Sequence, residues 1–193
     1  MFKTKSLVRA ARMGFALGVV FATSGNAVAQ GKPAPNDPIV LLLKGIYQPA
    51  TNAPNLGLPG VNLNDGTWIV TEIHRATSIP GSTNESSAVV GHFYAQTTSA
   101  LVAYDLPGGA LLMEFTAGSF NENPPVPDGH GGVFLQETWE LTITNATGIY
   151  SQYKGGHNHM VDRLDSLPGG LADENCYCII SIGGGSPLWW TSN

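Results

Sequence analysis

Val133-Phe-Leu-Gln-Glu-Thr-Trp-Glu-Leu-Thr-Ile-Thr144 is the stretch that decides the fold. Leu135, Glu137, Trp139, Leu141 and Ile143 fall on one face, and mostly polar residues fall on the other. Alternation with period two over this length is the signature of a half-buried β-strand. One inward position is a carboxylate, Glu137, set between apolar neighbours.

Further strand-like runs lie on both sides, at Ile39–Gly45, Thr67–His74, Ala88–Gln96, Ala100–Asp105, Ala110–Phe115, Ile149–His159 and Asn175–Ile182. The connections Asn52–Asp65, Ser78–Ser87, Pro107-Gly108-Gly109 and Asn121–Gly132 are rich in turn formers. One short helix is expected over Val161–Leu167, ended by Pro168-Gly169-Gly170. Eight strands at this spacing predict an all-β chain, a single eight-stranded antiparallel barrel spanning 38–182. Closure removes edges that so few charged residues would leave unguarded. An eight-stranded interior holds side chains or one small ligand.

The first segment reads as a targeting signal. Lys3, Lys5, Arg9 and Arg12 precede the apolar run Met13–Ala22, and Ala27-Val28-Ala29 supplies the small-x-small cleavage pattern. Residues 1–29 are therefore expected to be a signal peptide, 30–37 a flexible leader and 183–193 a C-terminal tail. Export, to the periplasm or outside the cell, follows as an expectation. Ten apolar residues are about half of what a bilayer span needs, so no span is expected after cleavage.

Beyond residue 29 the cations are Lys32, Lys44, Arg75, Lys154 and Arg163, against fourteen acids. So few cations cannot form a phosphate-neutralising surface, which excludes nucleic acid as a partner. A small-molecule ligand fits the composition, and self-association is left open.

Val90-Gly91-His92-Phe93-Tyr94, Ala110-Leu-Leu-Met-Glu-Phe-Thr116 with Phe120, and Leu141-Thr-Ile-Thr-Asn-Ala-Thr-Gly-Ile-Tyr150 resemble the allene oxide cyclase and dirigent barrel superfamily. That pattern has a Val-Gly-rich strand, a Leu-Met-x-Phe-Thr strand and a Thr-Gly-x-Phe turn, with Thr147-Gly148-Ile149-Tyr150 in the last part. The resemblance covers about 88–160. It implies a barrel that shapes small apolar or phenolic molecules, as a cyclase or a stereoguide.

Three sets of residues carry candidate chemistry. Glu137, and the i,i+2 pair Glu72 and His74, are the candidate acid–base groups of a cyclase or isomerase. Trp68, Glu114, Trp139 and Tyr150 are the candidate ligand-binding residues. His157, His159, Cys176 and Cys178 would make a zinc or copper site if their strands are neighbours and their faces converge. Otherwise the sulfurs pack as small hydrophobes beside Ile180 and Ile182, and no cofactor is called for. A bridge within Cys176-Tyr177-Cys178 is disfavoured, since i and i+2 in a strand lie about 6.5–7 Å apart, at the limit of disulfide reach. The leading expectation is a barrel that binds a small molecule. Mass spectrometry of the exported protein should find Gln30 as the first residue; an intact N-terminus would overturn the signal reading.

Overall fold

The computed structural model describes residues 38–51, 54–76, 88–116, 121–129, 131–167 and 171–182. The signal peptide, leader and C-terminal tail expected from the sequence lie outside them. The strands are β1 (Ile39–Pro49), β2 (Trp68–Ala76), β3 (Gly91–Gln96), β4 (Leu101–Leu106), β5 (Gly109–Phe115), β6 (Asn121–Glu122), β7 (Val126–Pro127), β8 (Val133–Ala146), β9 (His157–Leu167) and β10 (Leu171–Ser181).

Eight of them close an antiparallel ring in the order β1-β2-β3-β4-β5-β8-β9-β10, with β10 pairing back to β1. The two-residue strands β6 and β7 lie outside the ring on β8. Apart from the closing pair of β10 with β1, every ring neighbour is also a neighbour in sequence among the eight, which makes this an up-and-down barrel. The interior is filled from all sides by Ile39, Leu41, Leu43, Met113, Leu141 and Ile180, each fully buried. Each such side chain contributes about 1.5–3 kcal/mol by leaving water.

The expected helix over 161–167 is not formed. Those residues belong to β9, which pairs in unbroken register with β8 on one side and β10 on the other. Val161, Leu164 and Leu167 have spacing that a helix would also accept, and two flanking strands override it. The run expected as one strand over Ile149–His159 is divided. Gly148–Tyr153 is a 3-10 helix, and β9 begins only at His157.

That 3-10 helix stops one end of the barrel with Tyr150 and Tyr153, both fully buried. Thr147-Gly148 fastens it to the β4–β5 turn. The Ala110 N–H donates to Thr147 Oγ1 at 2.9 Å, and the Ile149 N–H to the Gly108 carbonyl at 3.1 Å. The Tyr150 hydroxyl donates to the Pro107 carbonyl at 2.8 Å. Gly148 has φ +59°, and a Cβ there would sit 1.9 Å from the Gly108 carbonyl oxygen.

A second apolar layer lies outside the ring. Leu58 and Leu63, from the connection after β1, pack with Trp68, Tyr94, Ala103 and Leu112. This explains why β3, β4 and β5 are apolar on both faces.

Register shifts occur between Leu42 and Leu43, between Leu112 and Met113 and, most widely, between Lys44 and Gln48. β1 keeps continuous register with β10 from Ile39 to Tyr47, yet its register with β2 breaks between Lys44 and Gln48. Gly45, with φ +125°, begins the departure.

Gly148→Ala meets both a disfavoured φ and a backbone clash, so it should lower stability by about 2 kcal/mol or more in denaturant unfolding. A loss within about 0.5 kcal/mol would show that the tyrosine stopper is not docked as described.

Candidate functional site

Alternation along each strand decides which predicted residues meet. Cys176 stands opposite Asp162, and Cys178 opposite Met160, all directed into the barrel. His157 and His159 stand opposite Ser181 and Ile179 on the other face of the sheet. The four residues expected to share one ion are therefore divided by the wall: the sulfurs inside, the imidazoles outside. His159 meets Glu140, its partner in register across β8, through Nδ1 and a carboxylate oxygen.

The four expected ligand-binding residues are not brought together either. Trp68 is in the outer apolar layer, Glu114 is exposed, and Tyr150 belongs to the stopper. Trp139 faces the interior from the wall, its ring 4.7 Å from that of Phe115 between centroids, and Tyr150 reaches the same core from the stoppered end. Glu137 is buried inside as expected. Glu72 and His74 do pair, Nε2 to Oε2 at 2.9 Å, on the outer face of β2. They are separated by the sheet from Glu137, so these acids do not form a single site.

The interior holds a polar row instead. The Asn158 amide donates to the Tyr104 hydroxyl at 2.9 Å, and that hydroxyl lies 3.3 Å from Cys178 Sγ. Cys178 Sγ is 3.4 Å from Cys176 Sγ, and both cysteines are free thiols. Beyond Cys176 come Asp162 and Glu174, each 2 % exposed, and then Glu137 opposite Asp162 in register.

Burial pushes the Asp162 carboxyl up to about 8, and the neighbouring Glu137 adds to it; the Arg163 backbone N–H opposes the rise. Glu174 is raised by burial and then by Asp162, while the Thr71 hydroxyl, from outside hydrogen-bonding geometry, works in the other direction. Burial also raises Cys176, Tyr104 and Tyr47, the last raised further by Glu174 and Asp162. Glu137 is raised by burial first and by Glu122 second. Desolvation disfavours each charged form, and like charges compound it.

Asp162 and Glu174 escaped the sequence reading for specific reasons. The helix assignment removed Asp162 from any face, and a strand begun at Asn175 excluded Glu174 by one residue. Extending the Cys176–Cys178–Ile180 alternation two residues upstream would have placed Glu174 with them.

On the outside, the departure of β1 from β2 leaves a cleft of about 610 Å³. Ile46, Pro49 and Val70 line it, together with Glu72, His92 and Asp105. The last three stand directly opposite one another across β2, β3 and β4. Asp105 is raised by burial and lowered by His92. Tyr94, also in the lining, is pushed up to about 12, burial being the larger cause and Asp105 the smaller, so its phenol stays neutral. Thr71, on the opposite face of β2 from Glu72, also reaches this cleft.

No family model, no curated protein and no solved structure matches this chain.

The buried acids give stability a definite pH dependence. With a folded pKa near 8 against about 3.9 unfolded, Asp162 holds its proton in the native state and loses it in the unfolded one. Stability therefore falls as pH rises from about 4 to 8, by at most about 1.4 kcal/mol per pH unit for one proton. Glu174, Glu137, Tyr47 and Cys176 face the same space; the two glutamates steepen the fall. In chelator-treated buffer, Asp162→Asn should be more stable than the parent at pH 7 and should flatten this slope. A parent protein whose denaturation midpoint is level over that window would contradict the burial of these acids.

Proposed function

We propose that this is an exported barrel protein that binds a small, neutral, apolar or phenolic molecule in the cleft on its flank. One observation carries the reading: the wall break beside Gly45 makes a cleft whose rim is apolar and whose lining includes Glu72, His92 and Asp105. Its volume, about 610 Å³, lies within the range of small-molecule pockets. An apolar ring would cover Val70 and Ile46, and a hydroxyl would donate to a carboxylate or accept from His92. The resemblance to the allene oxide cyclase and dirigent barrels supports the same ligand class, and membership in that superfamily is part of the proposal. The signal-like first segment supports action in the periplasm or outside the cell.

A second reading, a cyclase or isomerase, is favoured by the Glu72–His74 contact at 2.9 Å. Glu72 lines the cleft, so a proton could pass between the bound molecule and this pair.

The test uses 4-propylphenol and propylbenzene, equal in apolar bulk and different in the hydroxyl. At ten times its dissociation constant, the phenol should add about 1.4 kcal/mol of stability, or about 3–6 °C in melting temperature. Propylbenzene should give less. Ile46→Asp, a change at an exposed rim position, should abolish both shifts, and His92→Leu should reduce the preference for the phenol. No shift with either probe, or a shift unchanged in Ile46→Asp, would exclude the cleft as the binding site.

A further inference from the structure

We propose a second, separate site inside the barrel: a zinc-class divalent cation held by the carboxylates of Asp162 and Glu174 and the thiolate of Cys176. One ligand atom from each of these residues lies within 4.8 Å of the others. Donors arranged around one zinc ion, at about 2.0–2.3 Å each, span at most about 4.6 Å, so a 4.8 Å bound on the separations is of the size a single ion gathers. Among the described residues no other group of three His, Cys, Asp or Glu side chains comes this close.

The register builds the triad. Asp162 on β9 stands directly opposite Cys176 on β10, and Glu174 precedes Cys176 by two residues on the same face. Gly45 stands opposite Glu174 on β1 and brings no side chain over it.

Acids gathered in this way do not by themselves make a site, since protons can neutralise them. The hydrogen bonding separates the two cases. A protonated cluster satisfies itself through O–H···O contacts, because buried polar atoms are nearly always partnered. Here Asp162 Oδ1, Glu174 Oε2 and Thr71 Oγ1 are each buried without a hydrogen-bond partner. Thr71 is 2 % exposed, and its hydroxyl acts on the Glu174 carboxylate, so a neutral fourth donor is turned toward the acids. Buried lone pairs that converge without partners match what a cation requires.

The donor set also selects the ion. A thiolate disfavours calcium and magnesium, and two carboxylates disfavour copper(I), which leaves borderline ions such as zinc and cobalt(II). The histidines of the His157-Asn158-His159 segment take no part, since they lie across the wall. A site this deep would fill as the chain folds, so the cation would add to the stability of the native state.

The experiment refolds the full chain from denaturant with a reductant, with either zinc or cobalt(II), then removes free ion by gel filtration. Elemental analysis should give one zinc per chain, and the cobalt form should show a sulfur-to-cobalt charge-transfer band. Cys176→Ser should lose that band. Asp162→Asn and Glu174→Gln should each weaken zinc binding at least tenfold, while the double change His157→Ala, His159→Ala leaves it unaltered. Should Cys176→Ser not fold, the band of the parent protein still reports sulfur ligation. Zinc far below one per chain, a cobalt spectrum without sulfur character, or loss of metal in the double histidine variant would each overturn the assignment. None of these readouts depends on the flank cleft, so the two sites stand or fall separately.

Discussion

Closure of the sheet is the constraint on which the rest depends. Once β5 pairs with β8 and β1 with β10, alternate residues of eight strands point into a packed interior. Inward positions are then set by register alone, and a slip of one residue would exchange the two faces of a strand. In β9 such a slip would bring in His159, Val161 and Arg163 in place of Asn158, Met160 and Asp162. Continuous pairing on both sides of β9 forbids it. The same rule that packs Leu41 against Cys178 therefore commits Asp162 and Glu174 to the interior.

Most of the barrel was legible in the sequence because period-two alternation is a local signal. Val133–Thr144 shows it plainly, and the observed strand runs only two residues further. The misreadings came where a signal was ambiguous or non-local. The apolar spacing of Val161, Leu164 and Leu167 suits a helix as well as a strand, and only the neighbours β8 and β10 decide. Thr147-Gly148 could be recognised as a turn, but its docking onto the Gly108 carbonyl depends on residues forty positions upstream, beyond any local pattern. The outer apolar layer was invisible for a related reason. Leu58 and Leu63 sit in a stretch rich in Gly, Pro and Asn, which reads as connection and not as packing material.

The candidate sites divide along the same line. Glu137 stood out because a carboxylate on an apolar strand face violates the alternation that defines the face. Glu72 and His74 were found as i,i+2 neighbours on one strand, and their contact needs nothing else. The histidine–cysteine grouping failed because it needed the relative phase of two strands. Antiparallel register fixes that phase to the residue, and here it pairs His159 with Ile179 and Met160 with Cys178. No count of residue types along the chain supplies this information.

Apolar residues would fill this part of β8, β9 and β10 more stably than the three carboxylic acids Glu137, Asp162 and Glu174 do, since replacing buried charge by well-packed hydrophobes is often stabilising. The adjoining inward positions, Met160 and Leu164, show that the space accepts apolar side chains. The acids also lie at the end of the barrel opposite the tyrosine stopper, beside the stretch where β1 leaves β2. There Gly45 has no side chain, Thr71 borders the outer cleft, and its hydroxyl acts on Glu174 from within. Polar strain and a broken wall thus occupy the same few residues, while the stoppered end is hydrogen-bonded and closed. A fold that needed only to persist would gain from repairing both defects. Both proposed sites draw on this coincidence, with the cleft on one side of Thr71 and the buried carboxylates on the other.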